Sequence, residues 1–106
     1  MHCIVIGFIL LFASAQGVAA QDGPVDRGRN IALRLCSPCH AIGTAERSPH
    51  PTAPAFRRLE PRVDLDELGQ RLRDGILAGH PEMPVFVLER DETRSVVIYL
   101  KSIQAN

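Results

Sequence analysis

The sequence has little of several residue types. Its 106 residues include no tryptophan, one tyrosine, four phenylalanines, three cysteines and two methionines. Neither sign of charge is in excess, since twelve basic side chains balance twelve acidic ones. A general role in nucleic-acid binding is therefore disfavoured, because such proteins carry a basic surface. The sequence also lacks any internal repeat, low-complexity segment or alternating strand pattern of useful length.

The first twenty residues contain no Asp, Glu, Lys or Arg and have the pattern of an export signal. A nearly unbroken apolar run at 4–12 is followed by small residues, and 18–20 suit a signal-peptidase site. The usual positive charge before the run is missing. A retained anchor is the main alternative, but it needs about 20 apolar residues and Gln16 interrupts the run earlier. We predict a signal peptide at 1–20, cleaved after Ala20.

Removal of the leader leaves residues 21–106, enough for one compact domain without stable membrane insertion. Cys3 leaves with the leader. Cys36, Cys39 and Met83 remain. A domain this small buries too little apolar surface to be comfortably stable alone. A large apolar ligand would therefore supply much of its core.

The periodicity of apolar residues predicts an all-α fold with three helices. The first covers residues 26–35 and leads into the cysteine pair. The second begins at Asp64, with Glu67 three residues later, and ends between Gly75 and Gly79. Its apolar face comprises Leu65, Leu68, Leu72 and Ile76.

The third helix begins near Asp91. Its apolar stripe comprises Val96, Tyr99, Leu100 and Ile103. Two connecting segments have the composition of loops, because 41–61 contains four prolines and Met83 lies between two more. Residues 85–88 are too few to found a sheet.

Residues 36–40 read Cys-Ser-Pro-Cys-His, the attachment signature of c-type haem. Two thiols three residues apart project from the same side of one helical turn, so each can add to one vinyl group on a haem edge. His40 follows directly and can serve as the proximal axial ligand of the iron. The motif predicts one covalent haem c held by Cys36, Cys39 and His40.

Three other interpretations of the cysteine pair stay open. Cys36 and Cys39 could form a disulfide in an oxidising compartment. A thioredoxin-like redox pair would need a preceding strand and a βαβ framework, and neither is visible in the sequence. A zinc site would need a second cysteine pair, which is missing. The export signal and the helical pattern around the motif favour haem attachment.

The order of these features resembles the monohaem class I cytochrome c family over nearly all of residues 26–103. That family places the haem motif after a first helix, then a proline loop, a methionine loop and a closing helix, whereas helical-bundle cytochromes carry the motif near the C-terminus. Gly28 and Tyr99 resemble the small residue and the aromatic where the first and last helices cross. The resemblance implies a cytochrome c domain at 21–106, with three or more helices wrapped around one haem.

Residues 53–56 resemble the family's proline loop, in which a proline carbonyl accepts the free N–H of the axial histidine and raises its basicity. The resemblance assigns this role to Pro54, with Pro51 as the alternative. Arg57 and Arg58 are candidates for pairing with haem propionates, although adjacent arginines usually mark a solvated surface.

Residues 80–84 resemble the family's distal loop, which implies that His40 and Met83 are the two metal ligands. His50 and His80 could in principle replace the methionine. His80 is too close to Met83 for both to be first choices, and His50 falls in a stretch with no evident constraint. We expect each to be an exposed histidine.

The two axial ligands would determine the function. With His40 and Met83 both bound, the iron has no open position for a substrate and its reorganisation on redox change is small. The resemblance therefore implies a periplasmic single-electron carrier that is not an enzyme. With Met83 absent or labile, the protein would instead be a haem c enzyme of peroxidase type.

The implied partners are redox proteins, with a dehydrogenase or quinol-oxidising complex as donor and an oxidase or reductase as acceptor. Contact would occur at the exposed haem edge of a monomer. The zero net charge gives little basis for long-range steering. A further alternative is an electron-transfer subunit fixed to one larger respiratory or dehydrogenase complex.

Overall fold

The computed structural model describes residues 17–75 and 81–105. Within these ranges the chain forms three α-helices and one short 3-10 turn, and no strand. The helices are α1 (Pro24–Leu35), α2 (Leu65–Asp74) and α3 (Arg90–Ser102), and the 3-10 turn is Phe56–Arg58. The prediction of an all-α fold with three helices is confirmed for the described residues.

Helix α1 begins two residues earlier than the sequence pattern predicted, because Pro24 occupies its first turn. Proline suits this position since its fixed φ is already helical and its missing N–H has no helical partner there. Asp26 in the first turn and Arg34 in the last complement the helix dipole. The helix buries Ile31 and Ala32.

Helix α2 has well-defined ends. The Asp64 carboxylate accepts a hydrogen bond from the Glu67 backbone N–H at 2.9 Å. Gly75 ends the helix in the left-handed region, with φ of 70°. The predicted start and the first of the two predicted end points are therefore confirmed. Ile76 and Gly79 lie outside the described residues.

Helices α1 and α3 cross at close range. A Cβ atom added to Gly28 would lie 2.7 Å from Tyr99 Cβ and would overlap the Ser95 carbonyl. Only glycine allows the two backbones to approach this closely. The predicted close crossing at Gly28 and Tyr99 is thus confirmed.

The core contains apolar side chains from all three helices and from the loop that follows α1. Its buried members are Ile31, Ala32, Ile42, Phe56, Leu59, Leu65, Leu68, Leu72, Val96, Tyr99 and Leu100. The Tyr99 hydroxyl donates to the Ile42 carbonyl at 2.5 Å. This bond ties α3 to the loop and so sets the position of the segment next to the Cys-His motif.

The predicted signal peptide is almost entirely outside the described residues, which begin at residue 17. Residues 17–20 are exposed and form no helix. Among the described helices, none is both long enough and apolar enough to span a bilayer. The boundary after Ala20 stays a prediction.

Candidate functional site

The Cys-His motif continues directly from the end of α1. The Cys36 N–H donates to the Ala32 carbonyl at 2.8 Å, as if the helix went on. The Cys39 and His40 N–H groups then donate to the Cys36 carbonyl at 3.1 and 2.9 Å. These bonds hold Cys36, Cys39 and His40 in one tight turn, with all three side chains half-buried.

Both cysteines are present as free thiols rather than as a disulfide. Burial raises the pKa of the Cys36 thiol to about 11. Zinc-binding and thioredoxin-like cysteines need the opposite environment, one that favours the thiolate. The described residues also contain no group of three or more His, Cys, Asp or Glu side chains arranged for a metal ion.

The His40 ring is oriented by the proline loop. Its Nδ1 lies 2.8 Å from the Pro54 carbonyl oxygen. Because a carbonyl oxygen only accepts, Nδ1 must donate, and the neutral ring then carries a lone pair on Nε2. The Phe56 ring packs against it, with centroids 4.9 Å apart and the planes tilted by 39°. His40 is therefore held in the tautomer that can bind a metal through Nε2.

Two backbone bonds keep Pro54 in place. The Ala53 N–H donates to the His50 carbonyl at 3.2 Å, and the Phe56 N–H donates to the Ala41 carbonyl at 2.9 Å. The loop is thus tied on both sides of Pro54 to the residues around the Cys-His motif. Between the two prolines named from the sequence, Pro54 is the one whose carbonyl meets His40.

Arg57 and Arg58 lie on the 3-10 turn, where their surroundings differ. The Arg57 guanidinium donates to the Glu46 carbonyl at 2.7 Å. Arg58 is exposed. The bond from Arg57 braces the loop that carries Pro54, and the pairing of either arginine with a propionate stays a prediction.

Met83 is half-buried and packs against the core. Several other half-buried apolar side chains do the same, including Cys36 of the motif. They are Leu35, Cys36, Val63, Phe86, Leu88 and Ile103. A motif cysteine and Met83 therefore both border the same apolar core.

The segment 81–88 contains Met83 and is attached to the rest of the domain at two points. The Leu88 N–H donates to the Leu72 carbonyl at 2.9 Å, which links the segment to α2. Nearer to Met83, the Glu82 carboxylate lies 3.1 Å from His50 Nε2. His80 lies outside the described residues.

His50 is the residue that the sequence interpretation described wrongly. It is half-buried rather than exposed, and it is not in an unconstrained stretch. Its backbone N–H donates to the Cys39 carbonyl at 3.1 Å, and its Nδ1 accepts the Thr52 N–H at 3.2 Å. No sequence pattern reveals this, because the Glu82 contact joins residues 32 positions apart on two loops without periodicity.

The chain is similar to a protein named cytochrome c-552 from Bradyrhizobium diazoefficiens. The two are 29% identical over 108 aligned positions, which cover 98% of this chain and 99% of the relative. No protein-family model matches the sequence. No solved structure matches it either. The similarity to cytochrome c-552 extends far beyond the five residues of the Cys-His motif.

Proposed function

We propose that the chain is a monohaem c-type cytochrome, as its similarity to cytochrome c-552 suggests, and that it acts as a periplasmic single-electron carrier whose haem iron is bound by His40 and Met83. The all-helical architecture agrees with a cytochrome c fold. The similarity implies a covalently bound haem c, which supplies an iron that takes up and releases one electron. The similarity to a cytochrome c indicates an electron carrier rather than an enzyme.

The observation that carries the axial assignment is the 2.8 Å contact between His40 Nδ1 and the Pro54 carbonyl. It leaves the lone pair of Nε2 free to bind a metal, and it makes that nitrogen more basic. It also fixes the ring plane, so His40 needs no rearrangement to serve as a ligand. Pro54 is well suited to this role because the backbone bonds of Ala53 and Phe56 hold the loop on both sides of it.

Cys36 and Cys39 would hold the haem by thioether bonds. Each S–H adds across one vinyl group, so that sulfur forms the new bond to carbon and the hydrogen goes to the other vinyl carbon. The addition consumes no oxidant or reductant. Two free cysteines on a single turn beside His40 agree with this role.

Met83 would be the second residue to hold the iron. Its thioether would leave no coordination position for water or small molecules, and it would raise the reduction potential relative to a second histidine. Two protein ligands would suit electron transfer, because the ligands of the iron need to move little when the iron gains or loses an electron.

Export by the segment at 1–20 would deliver residues 21–106 to the periplasm as a monomeric domain. A dehydrogenase or quinol-oxidising complex would supply the electron, and an oxidase or reductase would accept it. Both would approach the exposed haem edge.

The proposal is tested first on the protein from the periplasmic fraction. We expect the mass of residues 21–106 plus one haem, red colour that survives denaturing electrophoresis, and elution as a monomer. Mass without haem would overturn the proposal and favour a simple dithiol or disulfide. Elution only with a larger complex would show a fixed subunit instead of a diffusing carrier.

The sixth ligand is tested by Met83→Ala. We expect this change to lower the reduction potential and to allow rapid carbon monoxide binding to the reduced protein, because one coordination position of the iron becomes open. Val85→Ala is a matched control, since it shortens an exposed side chain on the same segment. An unchanged spectrum in Met83→Ala would contradict the ligand assignment.

A further inference from the structure

His50 joins the two segments that carry the proposed axial ligands. Its backbone N–H donates to the carbonyl of Cys39, the residue before His40, at 3.1 Å. Its side-chain Nε2 lies 3.1 Å from the carboxylate of Glu82, the residue before Met83. One residue therefore contacts the neighbour of each ligand.

Local bonds determine the orientation of the His50 ring. The Thr52 backbone N–H lies 3.2 Å from Nδ1, and a backbone N–H can only donate, so Nδ1 accepts. A neutral ring with an accepting Nδ1 carries its proton on Nε2. Nε2–H then donates to the Glu82 carboxylate at 3.1 Å. The contact is complete with an uncharged imidazole and does not require an ion pair.

The burial of the two side chains differs, which indicates which one is the anchor. The His50 side chain is 32% exposed, whereas that of Glu82 is 65% exposed. His50 is also held by its backbone, because its carbonyl accepts the Ala53 N–H at 3.2 Å. The rigid partner is thus His50, and the segment it restrains is the one with Met83.

We propose that His50 is a positioning residue that restrains the Met83 loop through its hydrogen bond to Glu82. The inference rests on the proposed function, since it takes Met83 as the sixth ligand. Loss of the bond leaves Met83 in place but makes the open form of its loop easier to reach. An external ligand then competes more successfully for the iron.

The size of the effect follows from the exposure of the pair. A single partly exposed contact changes an equilibrium by about twofold to fivefold. We therefore expect His50→Ala and Glu82→Ala each to lower the Kd for imidazole binding to the oxidised holoprotein by about twofold to fivefold. The double variant should show no larger change than either single variant, because both remove the same bond.

Imidazole is titrated by absorption, and the red charge-transfer band of thioether-bound ferric haem is recorded for each variant. Glu82→Gln should retain the wild-type Kd, because its amide oxygen can accept the same N–H. Asp66→Asn is the control, since it removes the carboxylate of a separate exposed pair with Lys101, 2.8 Å long, without affecting the loop. That control should leave the imidazole Kd unchanged.

The outcomes separate this inference from the proposed function. If the wild-type protein lacks the charge-transfer band, the Met83 assignment fails and the positioning role with it. If the band is present but the imidazole Kd is unchanged in both single variants, His50 does not act through Glu82. The same conclusion holds if the effects of the two single variants add in the double variant. A shift in Glu82→Gln as large as in Glu82→Ala, or an equal shift in Asp66→Asn, would also overturn the proposal.

Discussion

At the scale of single residues, a few backbone contacts decide what neighbouring side chains can do. Gly28 is required because α3 occupies the space where a side chain would be. The ring nitrogens of His40 and His50 differ because one Nδ1 faces a carbonyl and the other an N–H. The same side-chain type is thus prepared to bind a metal at one position and to donate a hydrogen bond at the other.

Gly28→Ala should destabilise the holoprotein. The added methyl group overlaps the Ser95 carbonyl and comes 2.7 Å from Tyr99 Cβ, so α1 and α3 must move apart. We expect a loss of about 1–3 kcal/mol in the free energy of unfolding, measured by denaturant titration. Gly23→Ala is the matched control, because nothing lies within 4 Å of its added Cβ, and it should cost less than about 1 kcal/mol. Equal losses in the two variants would contradict the close crossing.

Glu46 gives a prediction about pH. Backbone N–H groups at Glu46 itself, Gly43 and Ala45, together with the charge of Arg57, lower the pKa of its carboxyl. A carboxyl with a lowered pKa in the folded state contributes stability above its unfolded pKa, and that contribution is lost as the pH falls through the folded pKa. Glu46→Gln should therefore reduce the difference in stability between neutral and acidic pH. The free energy of unfolding is measured against pH for both proteins. Parallel profiles would show that the Glu46 carboxylate contributes nothing to the pH dependence of stability.

At the scale of elements, capping residues account for both ends of α2 and for the start of α3. Asp64 and Gly75 bound α2, and the Glu89 N–H donates to the Glu92 carboxylate at the start of α3. Capping residues act locally, so these limits can be recognised without knowledge of the fold. Helix α1 starts two residues before the predicted residue 26, because Pro24 fits the first turn, where its missing N–H has no helical partner.

Asp64→Ala should weaken α2. It removes the carboxylate that accepts the Glu67 N–H at 2.9 Å, which leaves that donor without its cap. The expected cost is about 1 kcal/mol in the free energy of unfolding. Asp64→Asn keeps an oxygen acceptor and should be close to the wild type. If both variants lose the same amount, the charge of Asp64 rather than its capping bond is responsible.

At the scale of the whole molecule, the end of the chain closes the domain. The Gln104 amide nitrogen donates to the Phe56 and Leu100 carbonyls at 2.7 and 2.8 Å, and its oxygen accepts the Glu60 N–H at 3.0 Å. The Ala105 N–H donates to the Arg57 carbonyl at 2.7 Å. The closing helix is thereby fastened to the turn that follows Pro54.

Gln104→Ala should destabilise the domain, because the three groups that Gln104 satisfies lose their partner. We expect a loss of about 1–3 kcal/mol in thermal or denaturant unfolding of the holoprotein. Lys101→Ala removes an exposed ion pair from α3 and should cost less than about 1 kcal/mol. A smaller loss for Gln104→Ala than for Lys101→Ala would contradict its role in closing the domain.

Features that depend on neighbours along the chain could be predicted before the fold was known. The Cys-His spacing, the three helical stretches, and Asp64 and Gly75 as helix ends were all recognisable. Each depends on local geometry or on a repeat along one helix. The resemblance to cytochromes c added Pro54 and Met83 as a proposed hydrogen-bond partner and ligand.

Contacts between segments that meet across the domain could be identified from the fold alone. The partner of His40 among the prolines, the contact of His50 with Glu82 and the position of Gln104 each join loops that lie far apart in the chain. Hydrogen bonds between loops have no period and depend on where the helices bring the loops together. For that reason His50 was expected to be exposed, although the fold places it between the segments that contain His40 and Met83.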